Sequence, residues 1–319
     1  MKKVLKVNEG EQSMRLDLYL TLNLEGYTRS YLKKQIASNK VIVNGIVEFK
    51  ANYKVRKGDV IEITLDEIKR QEEVKPENID LTVVYEDKSL LVVNKPEGMV
   101  VHPATGNYRG TLVNALLHKY GDLKGVGERI RAGLINRIDK DTSGLVFVGK
   151  TNKALWFYSR QFADRQVYKE YLAIVEGDFN KVLQGRQYMK LKTYIDRNPV
   201  KRKKFAVVRD GVGRMAVSKF RLLSYSRDGK YSLVRITPET GRTHQIRVHL
   251  SYLGFPILGD LVYSGRKADR LFLHSYGARL SLMDGTTLKI EAPIEGMFAK
   301  FLKNNFKNKD VQKYIQQTT

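Results

Sequence analysis

A charged stretch around residue 70 divides this sequence into two parts with different patterns of apolar residues. Residues 66–80 consist mainly of charged and polar residues and contain a single proline, Pro76. Such a segment has little to bury, and its proline interrupts regular structure. We therefore expect four segments: a small domain (residues 1–66), a linker (67–80), a large domain (81–305) and a polar, frayed tail (306–319).

The small domain combines helical and strand-like patterns within about sixty residues. Two sets of apolar residues spaced four apart predict two helices: Leu16, Leu20 and Leu24 in the first, and Leu32 and Ile36 in the second. Thr28 is a suitable N-cap for the second helix, and Asn39 suits a left-handed conformation at its end. Two short runs rich in valine and isoleucine, 41–43 and 60–63, predict strands beside Asn-Gly and Lys-Gly-Asp turns.

Basic residues lie on or beside the two predicted helices: Arg15, Arg29, Lys33 and Lys34. The segment resembles the S4-like RNA-binding domain at Arg15-Leu16-Asp17, at Thr28-Arg29-Ser30 and at Val41-Ile42-Val43-Asn44-Gly45. The resemblance implies a helix-helix-β module that contacts RNA through these four basic side chains. The alternative is an ordinary helical hairpin whose lysines are simply solvated.

In the large domain, strand-like runs alternate irregularly with a few helical patterns. Residues 82–85 and 90–94 predict a hairpin that turns at residues 86–88. Because the series is not a regular repeat of strand and helix, it predicts an α+β fold rather than a parallel α/β fold.

The charge balance indicates a polyanionic partner. The chain has 57 Lys and Arg against 34 Asp and Glu, a net charge of +23. Between residues 181 and 235 there are 16 basic and 3 acidic residues, including the run Lys201-Arg202-Lys203-Lys204. Nucleic acid is the expected partner, and an anionic membrane surface is the alternative. Without long apolar runs, a signal peptide or any cysteine, the sequence predicts a soluble cytoplasmic protein without disulfides or thiolate chemistry.

The segment 133–148 contains a polar loop between apolar flanks. Its Thr-Ser-Gly can satisfy the loop's own backbone, but local structure does not explain why Arg137 and Asp139 flank the apolar Ile138. The loop resembles the catalytic motif of the RluA-like pseudouridine synthases, His-Arg-Leu-Asp-x-x-Thr-Ser-Gly. The resemblance implies that Asp139 is the catalytic aspartate and that Arg137 helps to expel the target base. Asn136 stands where the family commonly has histidine.

A second motif, Gly241-Arg242-Thr243-His244-Gln245-Ile246-Arg247, resembles the family's Gly-Arg-x-His-Gln-Ile/Leu-Arg. The spacing of Ile246, Leu250 and Leu253 predicts a helix that ends at Gly254. The resemblance implies that Arg247 pairs with the catalytic aspartate, since a buried carboxylate needs a cationic partner. Arg242 is expected to contact RNA. His244 and His249 are five residues apart, so we expect hydrogen-bonding roles for them rather than a metal site.

A third motif lies on a predicted strand over residues 168–177. It resembles the family's Lys-x-Tyr-x-Ala pattern and implies that Tyr171 stacks on the target uracil. The alternative is a tyrosine of the hydrophobic core. The segment Val93-Asn94-Lys95-Pro96-Glu97-Gly98 resembles the start of the family's catalytic domain, and we expect it to be structural.

Together the motifs imply an RNA pseudouridine synthase with a large, mixed, mainly antiparallel sheet flanked by helices. Asp139, Tyr171 and Arg247 would be its catalytic residues, with no metal or organic cofactor. The implied substrate is structured RNA, most naturally large-subunit ribosomal RNA, with transfer RNA as the alternative. No obligate protein partner is implied, and a monomer is expected.

Two other classes of function fit parts of the sequence. A non-catalytic RNA-binding or ribosome-assembly protein would have no need of the intact set of motif residues. A metal-dependent nuclease would require clustered carboxylates, and the sequence offers only Asp139 and Asp141 close together.

Overall fold

A computed structural model describes residues 1–24, 27, 29–65, 74–103, 107–121, 123, 126–127, 132–201 and 204–315. The chain divides into two compact units. The first unit comprises Met1–Asp80, His102–Leu134 and Val148–Trp156, and the second comprises Leu81–Val101, Ile135–Phe147 and Phe157–Thr319. Among the helices that the structure describes there is no candidate membrane span.

The first 65 residues form the expected helix-helix-β module. Its helices are α1 (Leu16–Asn23) and α2 (Arg29–Ala37), and its strands are β1 (Lys2–Lys6), β2 (Val41–Val43), β3 (Ile46–Val47) and β4 (Val60–Thr64). The described strands form a sheet in the order β1-β4-β2-β3. The predicted helices and strands are confirmed, and Asn39 has the expected left-handed backbone, with φ of 58°. Thr28, the expected N-cap, lies outside the described residues.

The second unit is built on a mixed, mainly antiparallel sheet. Its strands are β5 (Thr82–Glu86), β6 (Leu90–Lys95), β7 (Ser143–Gly149), β8 (Tyr168–Glu176), β9 (Met189–Arg197), β10 (Phe205–Val208), β11 (Arg214–Tyr225), β12 (Tyr231–Pro238), β13 (Leu273–Ser281) and β14 (Thr287–Glu291). Within the described chain their order is β10-β9-β11-β12-β8-β13-β7-β6-β5, with β14 also paired to β13. Strands β7 and β13 run parallel, whereas β8 pairs antiparallel with both β12 and β13. The predicted α+β fold is confirmed.

Helices complete the structure. They are α3 (Leu112–Lys119), α4 (Asn152–Ala163), α5 (Asn180–Leu183), α6 (Gln245–Tyr252), α7 (Gly296–Asn305) and α8 (Asn308–Val311). Helix α6 packs on β10 and β11 and is fixed by buried polar contacts. His249 bridges the hydroxyls of Thr193 and Ser218, at 2.9 and 3.0 Å, and burial lowers its pKa to about 4. His249 is therefore neutral and has the hydrogen-bonding role expected for it.

The C-terminal segment corrects the expectation of a frayed tail from residue 306. Phe306, Val311 and Tyr314 are buried, at 0%, 1% and 2% exposure, and belong to the main hydrophobic core of the second unit. Ile294 donates its backbone N–H to the carbonyl of Tyr314. The expectation was wrong because it rested on the many Lys, Asn and Gln residues, although the segment also has an apolar face that is sufficient to pack against the core.

The expected linker is also partly ordered. Residues 66–73 lie outside the described chain, but residues 74–80 are bonded to the start of α3. Asn114 donates its side-chain amide to the carbonyl of Lys75, and Glu77 accepts the backbone N–H of Gly110. These contacts place residues 74–80 in the same compact unit as α3, so the expected boundary at residue 80 does not coincide with the division between units.

Candidate active site

Asp139 lies in the loop that precedes β7, and hydrogen bonds fix this loop at several points. Asn136 accepts the backbone N–H of Phe147 at 2.8 Å, which secures the start of the loop. The carbonyl of Asp139 accepts the N–H of Thr142 at 3.1 Å, closing a tight turn, and Ile138 is buried. The Asp139 side chain, by contrast, is 22% exposed.

The loop ends at a glycine whose small size is required. Gly144 has φ of 111° and pairs with Ser275 on the parallel strand β13. A Cβ atom at this position would collide with the Ser275 backbone. Glycine thus permits both the backbone conformation and the close approach of β7 to β13.

Lys95 fixes the middle of this loop through the hydrogen bonds of its side chain. Its ammonium group donates to the carbonyls of Pro96, Met99 and Lys140 at 2.7, 2.9 and 2.9 Å. The side chain is fully buried, and this burial lowers the pKa of Lys95 to about 7. The segment around Lys95 therefore has the structural role expected for it, because it fixes the residue next to Asp139.

Arg270 anchors the end of the loop. Its guanidinium donates to Glu97 and to the Ser143 hydroxyl, both at 2.7 Å. Ser143 in turn lies 2.8 Å from Nδ1 of His274, whose Nε2 lies 2.9 Å from the carbonyl of Ala292. Since a carbonyl only accepts, Nε2 carries the proton, and the network assigns Nδ1 as the acceptor for Ser143. Burial lowers the pKa of His274 to about 4, so this neutral form persists at pH 7.

Arg247 lies beside Asp139 but is held chiefly by another carboxylate. It forms a two-pronged pair with the buried Asp260, at 2.8 Å for both contacts, and a single longer contact of 3.4 Å with Asp139. Burial alone would lower the pKa of Arg247, but Asp260 and Asp139 together raise it. The arrangement keeps Arg247 charged and leaves one N–H directed at Asp139.

His244 also lies beside Asp139, with Nε2 3.8 Å from the same carboxylate oxygen that Arg247 contacts. Its Nδ1 lies 2.9 Å from the hydroxyl of Tyr263, which already accepts the N–H of Phe205. The network therefore favours a Tyr263 proton directed at Nδ1, with the imidazole proton on Nε2 facing Asp139. Burial lowers the pKa of His244, and Arg247 and Arg137 act in the same direction against the opposing effect of Asp139.

These side chains line a pocket of about 160 Å³. It brings together five residues expected from the sequence: Arg137, Asp139, Tyr171, Arg242 and Arg247. Burial raises the pKa of the Tyr171 hydroxyl, which remains protonated at neutral pH. The pocket thus combines a carboxylate, an aromatic ring and several cations.

The four basic residues expected in the S4-like module belong to the first unit. Arg15, Arg29 and Lys33 surround the fully buried carboxylate of Asp17 at 2.9, 3.0 and 3.4 Å. Burial alone would raise the pKa of Asp17, but the two arginines lower it. Lys34, the next residue of α2, is also exposed. The basic side chains therefore form a cluster that carries an excess of positive charge.

The sequence interpretation missed Asp260 and Arg270. Asp260 lies 13 residues from its partner Arg247, without a local pattern that connects them. Arg270 had a usable signal, because Arg270 and His274 enclose the apolar run Leu271-Phe272-Leu273. A basic residue in a buried run needs a partner, and that requirement predicts a polar network. Nowhere among the described residues do three or more side chains converge as metal ligands.

Comparison with known proteins identifies the family to which the chain belongs. The family described as RNA pseudouridylate synthase matches residues 89–252, and the S4 domain family matches residues 14–61. The ribosomal large subunit pseudouridine synthase D of Borreliella burgdorferi is 39% identical over 314 residues, covering 96% of this chain and 94% of that protein. The protein of the same name from Zymomonas mobilis is 40% identical over 290 residues, covering 90% and 89%.

The structure of human RNA pseudouridylate synthase domain containing 1 matches with a TM-score of 0.55 and 26% identity, covering 70% of this chain and 86% of that one. Sequence, fold and relatives therefore agree. The chain belongs to the RluA-like family of RNA pseudouridine synthases, enzymes that isomerise uridine in RNA, and it carries an S4 domain near its N-terminus.

Proposed function

We propose that the protein converts specific uridines of large-subunit ribosomal RNA to pseudouridine, with Asp139 as the catalytic carboxylate. The observation that carries this proposal is the pocket in which Asp139 contacts Arg247 and lies beside His244, and which Tyr171 also lines. The names of the relatives from Borreliella burgdorferi and Zymomonas mobilis support ribosomal RNA as the substrate. A cytoplasmic, monomeric enzyme fits this substrate.

The reaction breaks the bond between N1 of uracil and the ribose, rotates the base and joins it through C5, from which a proton is removed. Asp139 supplies the ionised carboxylate that this sequence of steps needs as nucleophile or base. Arg247 holds that carboxylate in place and Tyr171 stacks on the extruded base, while Arg137, which lines the same pocket, helps to expel the base from its stack. Stacking contributes about 1–3 kcal/mol toward the cost of unstacking.

We propose that the S4 domain binds phosphates of the same RNA through Arg15, Arg29, Lys33 and Lys34. Asp17 supports this role because it is shared by three of the cations and fixes their side chains while leaving the cluster positive. Preordered cations lose less side-chain entropy when they bind a phosphate. Removal of residues 1–66 would accordingly weaken RNA binding and reduce its dependence on salt.

The proposed function is tested by mapping pseudouridines in total RNA with carbodiimide-based sequencing, in cells with and without the gene. The expected result is the loss of one or a few sites in large-subunit ribosomal RNA and their return on complementation. Loss of sites confined to transfer RNA would support the alternative substrate. An unchanged map, together with an inactive purified protein, would support the non-catalytic RNA-binding role.

Tyr171→Ala is expected to lower the rate of pseudouridine formation roughly five- to a hundredfold, the equivalent of the ~1–3 kcal/mol that stacking contributes, whereas Tyr171→Phe should leave RNA affinity nearly unchanged. Phe retains the stacking face that Ala removes. Single-turnover rates and dissociation constants on one stem-loop substrate measure both effects. A Tyr171→Ala protein with a nearly wild-type rate would show that Tyr171 is only a core residue.

Asn136→His is expected to change the rate less than about tenfold, which corresponds to ~1.4 kcal/mol of barrier. Asn136 accepts the N–H of Phe147, and a histidine ring nitrogen can accept the same bond. Asn136→Leu is the matched control: it removes the acceptor and should lower the free energy of unfolding by about 1–3 kcal/mol. A gain of several orders of magnitude with histidine would mean that asparagine impairs this enzyme.

A further inference from the structure

The side chains that line the pocket carry more positive than negative charge. Its lining includes the basic residues Arg137, Lys169, Arg242 and Arg247 but one carboxylate, Asp139. Asp260 and Asp139 account for Arg247. Neither Lys169 nor Arg242 forms an ion pair with any carboxylate in the part of the chain that the structure describes, so the pocket keeps positive charge without an internal counterion.

Lys169 is placed toward the pocket by the strand that carries Tyr171. Residues two apart on β8 share a face, so Lys169 and Tyr171 point to the same side of the sheet. The stem of Lys169 is half-buried, and its ammonium lies 5.9 Å from the centre of the Phe162 ring. Burial lowers the pKa of Lys169 and the nearby Arg165 lowers it further, with no carboxylate to oppose them.

Arg242 is in a similar situation on the loop before α6. Its Nε donates to the carbonyl of Met215 at 3.0 Å, which fixes the plane of the guanidinium and leaves the two terminal nitrogens to donate elsewhere. Burial lowers the pKa of Arg242, and repulsion from Arg165 and Arg214 adds to this effect. Arg165 therefore acts on both Lys169 and Arg242, which places the three cations in one electrostatic neighbourhood.

We propose that Lys169 and Arg242, which both line the pocket, bind one backbone phosphate next to the extruded uridine. The inference rests on the proposed function, because the pocket receives a nucleotide whose flanking phosphates stay at its mouth. Partly desolvated cations repel one another. Their proximity becomes favourable when an anion lies between them and is coordinated by both. A phosphate bound here would fix the sugar relative to Asp139. Lys169, the lysine of the Lys-x-Tyr-x-Ala pattern, to which the sequence analysis gave no role, would then be a substrate-positioning residue.

The test uses stem-loop RNAs in which single linkages around the target uridine carry an uncharged methylphosphonate. Dissociation constants are measured in the Asp139→Asn background, where no turnover occurs, and KM and kcat in the active protein. In the Asp139→Asn protein with Lys169 unchanged, a methylphosphonate at one particular linkage should raise the dissociation constant for RNA at least tenfold. Lys169→Met should weaken binding of unmodified RNA by a similar factor and become insensitive to that same linkage. The effect in the active protein should fall mainly on KM.

Two controls accompany this test. Lys192→Met changes an exposed lysine of β9 that lies outside the pocket. Its effect on the dissociation constant should be independent of the effect of each methylphosphonate, so that the two fold-changes multiply. Lys169→Arg keeps the charge and should restore most of the affinity and the sensitivity to the linkage. Thermal unfolding of Lys169→Met should match the wild type, since the substitution removes a partly desolvated charge.

If every methylphosphonate weakens RNA binding by the Lys169→Met protein as much as it weakens binding by the protein with Lys169 unchanged, the proposed phosphate site is wrong. Failure of the wild-type protein to form pseudouridine in unmodified RNA would instead overturn the proposed function, and the binding measurements would still decide the role of Lys169. Weak affinity of the Lys169→Met protein combined with a lowered melting temperature and no rescue by arginine would assign Lys169 a purely structural role.

Discussion

Asp139→Asn is expected to abolish pseudouridine formation while the fold and the RNA affinity are retained. The amide has nearly the shape of the carboxylate, so the turn closed by the Asp139 carbonyl and Thr142 should persist. An amide cannot act as the nucleophile or base, and Asp260, the other carboxylate that Arg247 contacts, is fully buried and does not line the pocket. A carbodiimide assay on a stem-loop substrate, with a binding assay beside it, measures both effects.

Asp141→Asn is the matched control for this prediction. Asp141 lies in the same loop but is exposed and does not line the pocket. The Asp141→Asn protein should therefore keep most of its activity, because the reaction depends on position as well as on charge. Conversion of uridine by Asp139→Asn at a rate comparable to wild type would remove the central claim for this site.

The sequence was sufficient for the residues whose roles depend on local spacing. The leucines of α1 predicted its buried face, and the alternation over β8 placed Tyr171 on a strand. Asp139 and Arg247 were found because each sits in a short motif, although they are 108 residues apart and meet only through the fold. Local patterns, together with the family resemblance of the motifs, thus pointed to several residues that line the pocket but not to the distances between them.

The supporting contacts could not be predicted in the same way, because they join distant segments. Lys95 reaches the carbonyl of Lys140, 45 residues away, and Arg270 reaches Ser143 and Glu97, 127 and 173 residues away. A backbone carbonyl leaves no trace in the sequence that would identify it as the acceptor. Strand β1 was missed for another reason: four of its five residues are exposed, so it lacks the alternation that marks a half-buried strand.

Arg247→Met is expected to cost both stability and activity. Arg247 is 7% exposed, and its loss leaves the fully buried Asp260 without the cation that compensates it. Breaking one side of a buried ion pair typically costs about 3–5 kcal/mol. Urea denaturation should show this loss of unfolding free energy, whereas Arg221→Met, which removes an exposed arginine of β11, should stay within about 0.5 kcal/mol of wild type.

Arg247→Met combined with Asp260→Asn separates the structural role of the arginine from its role beside Asp139. The asparagine oxygen can still accept the backbone N–H groups of Val262 and Tyr263, but it carries no charge to compensate. Much of the lost stability should therefore return, since a neutral pair avoids the cost of an isolated buried charge. Pseudouridine formation should not return, because Asp139 still lacks its arginine. Recovery of activity along with stability would show that Arg247 serves the fold alone.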